Sequence, residues 1–163
     1  MHRINLALYN TYDKLRWHEA HKRAIARASP IAKACEGNLI LLDFPVKSKE
    51  EVIEKVKDTT LDIAFLKGEK FHVMKALPPQ FGIAIATTSK PKKEKSISPN
   101  NVVRLLEKNS ICLIIGLGRK GLPKEIKDKA KYHLDITMKG IPLETCTAIG
   151  AIPLVIYHLR RRK

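Results

Sequence analysis

The sequence predicts a single-domain α/β protein, with a mostly parallel sheet and helices on both of its faces. Three observations carry that class. Residues 4–9, 38–44, 81–87 and 111–115 form short runs that are apolar almost throughout, as strands are when both faces of a parallel sheet are covered. Segments with helical spacing separate these runs, which is the alternation of βα units. Late in the chain, an apolar run stops abruptly at a glycine-rich loop, L-I-I-G-L-G-R-K-G over residues 113–121. Such turns commonly sit at the carboxyl ends of parallel strands, where glycine lets the backbone approach a ligand.

Residues 4–9 (I-N-L-A-L-Y) read as the first strand. A long helical region follows from Arg16 to about Cys35, in which Trp17, Ala24, Ala28 and Ile31 share one face. Ser29-Pro30 is expected to kink or restart it, since proline is best tolerated in a first turn. Residues 38–44 are a strand buried on both faces, and residues 48–57 a helix with Ser48 and Glu51 in capping-box spacing. A short strand is expected over residues 62–66 and a helical turn over 71–77, ahead of Pro78-Pro79.

The strand at 81–87 runs into Ser89-Lys90-Pro91-Lys92-Lys93-Glu94-Lys95, a loop without an apolar residue. Ser98-Pro99 then opens a helix through about Lys108, with serine as N-cap and proline in the first turn. The strand at 111–115 leads into the glycine loop. A helix is expected over 124–131, a last short strand over 133–138, and an apolar helix with a basic tip from about Glu144 to Arg161. There is no internal repeat and no second domain.

A chain of 163 residues is one domain by length and large enough for a real core. Its charge is unusual: 31 Lys and Arg against 16 Asp and Glu give a formal +15. Such an excess favours polyanion partners, nucleic acid first, through phosphate neutralisation and counterion release; a lysine-rich, thermophile-like surface is the alternative. Cys35, Cys112 and Cys146 are far apart with no C-x-x-C, which argues against a disulfide framework or zinc cluster and for a reducing compartment. The amino terminus lacks the apolar stretch of a signal peptide, and the longest apolar run, 148–157, is too short to span a bilayer. A soluble, cytoplasmic protein is expected. His18 and His21 lie one helical turn apart, and without further ligands they read as surface polar residues; no metal site is expected.

Taken literally, Gly116, Gly118 and Gly121 fit the dinucleotide fingerprint G-x-G-x-x-G. Position argues against an NAD site. In a dinucleotide-binding domain the fingerprint follows the first strand, whereas here about four strands precede it and one follows. Asp135 stands near the distance of a ribose-binding acid but within the expected last strand. A phosphate-binding P-loop is excluded because no G-K-S or G-K-T occurs. The segment 136–152 is more telling: a strand end, a tight loop, then a helix of small residues able to pack closely against backbone. The two loops, 116–123 and 139–143, could together wall a compact pocket.

At these residues the sequence resembles the SPOUT superfamily of RNA methyltransferases. Gly116-Leu117-Gly118-Arg119-Lys120-Gly121-Leu122 matches both outer glycines and the leucine of the family loop G-S-E-G-x-G-L. Ile136-Thr137-Met138 and Pro142-Leu143-Glu144-Thr145-Cys146 keep the spacing of the family's I-P-M and S-L-N-V-S segments, and T-T-S-K at 87–90 is similar to the family strand that leads into a basic loop. The likeness covers the carboxyl half well and the amino half by element order, and it is nearest to an archaeal branch of the superfamily.

The resemblance implies a carboxyl-terminal trefoil knot, an exception to the usual topology rules, and S-adenosylmethionine as cofactor. It places the cofactor against Thr87, Gly116, Leu117, Gly118, Ile136, Met138, Ile141, Leu143 and Cys146, with Gly121 and Leu122 at the rim. Read without it, Ile136, Met138 and Leu143 are equally well core residues. Family members that methylate ribose carry N-x-G-x-x-R near the first helix, and this chain lacks it. Arg16, Arg23 and Arg27 share one helical face and are the nearest substitutes, whether acting on the nucleophile, on RNA phosphate or as a solvated face. Glu144, Gly118 and Cys146 replace the family's asparagine, glutamate and serine, which leaves base methylation or an inactive knot open beside ribose chemistry. Lys90, Lys92, Lys93 and Lys95 are the candidate RNA contacts, for tRNA or rRNA, and Arg160, Arg161, Arg162 and Lys163 form a basic tail. A homodimer is expected, through the small-residue face Ala148, Ala151 and Val155.

Overall fold

The computed structural model describes residues 2–59 and 62–162; Lys163 of the basic tail lies outside them. Six parallel strands form one sheet: β1 (Ile4–Tyr9), β2 (Leu39–Leu42), β3 (Phe71–Met74), β4 (Ile83–Thr87), β5 (Ile111–Gly116) and β6 (Tyr132–Leu134). Their spatial order is β3-β2-β1-β5-β4-β6. The helices are α1 (Glu19–Ala34), α2 (Lys49–Val56), α3 (Ile63–Lys67), α4 (Pro99–Leu105), α5 (Lys124–Lys129) and α6 (Thr145–Arg161). None of the described helices is long and apolar enough to cross a membrane.

The apolar strands alternate between two cores. Ile4, Leu6 and Leu8 of β1, with Ile111, Leu113 and Ile115 of β5, face one cluster that takes buried side chains from α1, α2, α3, α4 and α6. Ala7, Tyr9, Cys112 and Ile114 face a second, smaller cluster, covered by Ile126 of α5 and by Phe81 at the end of a short 3-10 turn. Successive side chains on a strand point to opposite faces, so runs without alternation require cover on both sides. The cover is uneven among the described residues: five helices on one face and one on the other.

Two elements differ in kind from expectation. Residues 63–67 are helix α3 and not a strand, because the connection from β2 to β3 crosses the sheet and buries Leu66 completely against the larger core. Residues 71–74 are strand β3 and not a helical turn. As the edge strand it pairs with β2 alone, and only Phe71 is fully buried, so it lacks the continuous apolar run that marks the strands covered on both faces.

Boundaries moved as well. Helix α1 starts at Glu19 because the Asp13 carboxylate accepts the amides of Leu15 and Arg16 and makes a turn of residues 13–16. Trp17 therefore precedes the helix and stacks on His21. The helix runs on through Pro30 without restarting there. Pro30 is on the exposed side of α1, where water can serve the carbonyl of Ala26 that loses its donor.

Strand β6 ends at Leu134, so Asp135 lies just beyond it. On one side β6 pairs with β4; on the other, Ser96 bridges to His133 and the Ile97 amide donates to the His133 carbonyl. Residues 132–134 thus run between β4 and the loop 88–97. The Lys92 amide donates to His133 Nδ1 and His133 Nε2 donates to the Lys127 carbonyl, 3.1 and 2.8 Å. The Lys95 ammonium reaches the carbonyls of Asp128 and Ala130 at 2.6 and 2.8 Å, which satisfies open acceptors at the end of α5.

Candidate functional site

Strands β4, β5 and β6 are neighbours and end at Thr87, Gly116 and Leu134. The three loops that leave them converge with the first turns of α6 around a cleft of about 800 Å3. That is within the range of about 300–1,000 Å3 usual for small-molecule sites.

The glycine loop forms one wall. A side chain on Gly116 would place its Cβ 2.9 Å from the carbonyl carbon of Gly121 and 3.0 Å from the Leu122 amide, so the two ends of the loop are pressed together at backbone distance. Gly118 holds φ at +94°, a region that side chains disfavour. Its amide donates to the Thr145 hydroxyl at 3.2 Å, which joins the loop to the first residue of α6. The Leu117 amide donates to the Tyr9 carbonyl at 3.0 Å and ties the loop to β1.

Asp135 shapes the second wall. One carboxylate oxygen accepts the amide and hydroxyl of Thr137 at 3.0 and 2.8 Å, and the other accepts the Gly140 amide at 2.7 Å. This closes residues 135–140 into a tight turn, with Met138 and Gly140 at positive φ. Glu144 caps α6 by accepting the amides of Cys146 and Thr147, 3.1 and 3.2 Å, and those bonds hold its carboxyl below the usual range. The cleft therefore contains two carboxylates, Asp135 and Glu144, with Lys90, Arg119, Lys120 and Lys127 also lining it.

Of the residues the sequence pointed to, Thr87, Gly116, Gly118, Gly121, Leu122, Ile136, Ile141 and Leu143 line this cleft together. Three stand elsewhere. Leu117 points into the large core and is 3% exposed, because the strand's alternation continues one residue past β5. Met138 sits on the outside of its turn, 67% exposed. Cys146 does not line the cleft; it lies on α6 within electrostatic reach of Arg27 and Arg23, and burial pushes its thiol above the usual value. Arg23 and Arg27 are exposed on α1, and Arg16 lies before that helix, so the face the three were expected to share holds only two of them.

Thr88, Ser89, Pro142, Thr145, Ala148 and Ile152 also line the cleft. The T-T-S-K run contained Thr88 and Ser89, the P-L-E-T-C segment Pro142 and Thr145, and the small-residue pattern of α6 Ala148. The expected pairing face loses Ala148, which is buried, while Val155 remains 41% exposed. Of the four lysines in the 89–95 loop, Lys92 pairs with Asp128 and Lys95 caps α5. His18 bonds Asp13, and His21 is fully buried with its Nε2 on Asn10.

A family model described as a protein of unknown function, DUF531, matches residues 4–157. An uncharacterised protein of Methanocaldococcus jannaschii is 50% identical over 160 residues, covering 95% of this chain and 94% of that one. Among solved structures, a probable methylase family protein from Haemophilus influenzae superposes with a TM-score of 0.68 at 17% identity, over 99% of this chain and 67% of the other. A structure concerned with 2-OH methylation of C/U34 on tRNA gives 0.65 at 16% identity, over 99% and 97%. The SpoU methyltransferase AviRb from Streptomyces viridochromogenes, in complex with AdoMet, gives 0.59 at 13% identity, over 99% and 59%. At these identities the likeness is one of fold: the six-stranded parallel architecture is that of SpoU-type methyltransferases.

Proposed function

The chain belongs to the DUF531 family, and from its fold and its cleft we propose that it is an S-adenosylmethionine-dependent RNA methyltransferase of the SPOUT type. The observation that carries the reading is the convergence of the loops after β4, β5 and β6 on one cleft whose glycine wall is pressed to backbone distance. The knot belongs to the same proposal. It is supported by the passage of residues 132–134 between β4 and the loop 88–97, ahead of α6 on the opposite face of the sheet from α5.

The residues present suit this cofactor. Gly116, Gly118 and Gly121 leave backbone open to an adenine, and Leu122, Ile136, Ile141 and Leu143 offer apolar cover. Asp135 and Glu144 supply negative charge to meet a sulfonium, while Lys90, Arg119 and Lys120 meet the cofactor's carboxylate or an RNA phosphate. When bound, S-adenosylmethionine supplies a methyl group for in-line displacement by an RNA nucleophile. The chain's own task is to place that nucleophile at about 3–3.5 Å and to receive or redistribute its proton. Arg16, Arg23 and Arg27 remain the candidates for that task, with tRNA or rRNA as substrate, in a cytoplasmic homodimer.

A second reading, a knotted RNA-binding protein without chemistry, is favoured by one observation: none of those three arginines lines the cleft. An NAD-dependent oxidoreductase is the third reading. Calorimetric titration with S-adenosylmethionine and with NAD separates the third from the first, and transfer of labelled methyl to bulk tRNA or rRNA separates the first from the second. No heat and no thermal stabilisation at millimolar S-adenosylmethionine would remove the leading reading.

A further inference from the structure

We propose that the loop after β1, residues 10–18, is a stacking platform for single-stranded RNA at the mouth of the cleft, with Tyr12 as the base-stacking residue. The proposal rests on an RNA substrate and assigns its contact surface. The loop 89–95 is the obvious basic segment, but Lys92 is paired with Asp128 and Lys95 is bound to backbone carbonyls. Two of its four lysines are thus taken up in holding the loop against α5.

The loop after β1 differs in two ways. It presents large side chains to solvent, with Tyr12 56% and Leu15 91% exposed. It is also rigidly built from beneath. Asn10 is fully buried; its amide group donates to the carbonyls of Asp13 and Asp43 at 2.7 and 3.0 Å, and its side-chain oxygen meets the Tyr12 amide and His21 Nε2, both at 3.0 Å. Asp13 accepts from the amides of Leu15 and Arg16 and from His18 Nε2, at 2.8, 3.0 and 2.8 Å. The Tyr12 ring packs edge-on against the imidazoles of His18 and His21, with centroids 5.1 and 5.7 Å apart. An exposed ring held this way loses little conformational freedom when a base stacks on it.

The position suits the cleft. Strands β1 and β5 end in register at Tyr9 and Gly116. The Thr11 hydroxyl is the nearest atom to the side-chain position of Gly118, at 3.6 Å, so the loop starts against the cleft's glycine wall. Arg16, Arg119 and Lys120 are exposed cations on the two adjoining loops. An aromatic face flanked by cations is what an unpaired base and its phosphates require, whereas a duplex hides its base faces. A second copy docked through the same face would set these cations against themselves, whereas RNA neutralises them.

The test compares wild type, Tyr12→Ala and Tyr12→Trp for binding of a short oligouridine and of a duplex RNA of equal length, across a salt series. Thermal unfolding, light scattering and S-adenosylmethionine titration are measured on the same proteins. Tyr12→Ala should weaken oligouridine binding roughly tenfold or more, leave duplex binding, the salt slope and S-adenosylmethionine binding unchanged, and be matched by retained affinity in Tyr12→Trp. Wild-type affinity in Tyr12→Ala, an equal loss on both RNAs, failure of Tyr12→Trp to retain affinity, or no oligouridine binding by the wild type would overturn the platform. A Tyr12→Ala protein that changes from dimer to monomer would assign the surface to a second copy instead. Tyr12-dependent oligouridine binding in a protein that ignores S-adenosylmethionine would leave the platform standing and remove the methyl-donor reading.

Discussion

The Gly118 amide donates to the Thr145 hydroxyl across 3.2 Å. That bond joins the turn after β5 to the first turn of α6, although the two residues are far apart in sequence. Around it, a loop otherwise built for close backbone approach becomes one wall of a cleft whose opposite wall is the turn closed by Asp135.

Gly116 and Gly118 should respond differently to substitution. In Gly116→Ala the new Cβ meets backbone of Gly121 and Leu122 at 2.9–3.0 Å, so the loop itself must move. In Gly118→Val the Cβ meets only the Thr11 hydroxyl at 3.6 Å, and the cost is the positive φ, of order 1–3 kcal/mol. Both should weaken S-adenosylmethionine binding in calorimetry, Gly116→Ala the more. Wild-type affinity in either variant would misplace the cofactor.

Bound S-adenosylmethionine should raise the thermal midpoint in a concentration-dependent way, by about 2.7 kcal/mol of stability when the ligand is at a hundredfold its dissociation constant. NAD at the same concentration should leave the midpoint unmoved. Stabilisation by NAD instead would revive the dinucleotide reading of the glycine loop.

Lys95→Met should destabilise the fold by about 1–3 kcal/mol, since it leaves two carbonyls at the end of α5 without their cationic donor. Lys93→Glu alters an exposed residue of the same loop and should cost within about 0.5 kcal/mol. Urea denaturation distinguishes the two. Equal midpoints would show that Lys95 does not hold the loop against α5.

Stability should fall in mild acid through His21. Burial, with the charge of His18 as the smaller cause, holds its imidazole below the usual value of 6.5. The unfolded chain therefore takes up this proton first. The contribution is complete above about pH 6.5 and declines as pH falls from there toward the folded-state value. His21→Gln should flatten urea midpoints over that window, relative to wild type. Asp13 acts lower on the scale: its bond to His18 and the amides of Leu15 and Arg16 depress its carboxyl. Its contribution is present above the unfolded value of about 3.9 and lost as pH falls below it. A wild-type protein with level midpoints from neutral pH to about pH 5 would contradict the role given to His21.

The cleft was legible where backbone chemistry dictates residue type. Gly116, Gly118 and Gly121 could be recognised because close approach and positive φ select glycine, whereas Ile136, Ile141 and Leu143 came only from the resemblance to the family's segments. Leu117 and Met138 sit in the same short segments yet face away, since neighbouring residues on a strand or turn point to opposite sides. Thr88, Ser89 and Ala148 lay in runs that the sequence singled out, but that they meet in one cleft depends on strand order. Strand β3 and helix α3 were mistaken for each other's type because short segments at a sheet edge lack the repeated periods that distinguish them.

By itself the sequence determined the α/β class, the parallel sheet and the glycine loop, because runs of apolar residues, helical periods and left-handed backbone positions are properties of neighbours along the chain. It also determined the excess of positive charge. The tertiary structure alone decided that β4, β5 and β6 end side by side. It turned Lys92 and Lys95 toward α5 and left Tyr12 exposed on a hydrogen-bonded base. Those outcomes depend on which segments cross, and a residue's spacing from its neighbours holds no record of the partners that a distant segment brings to it.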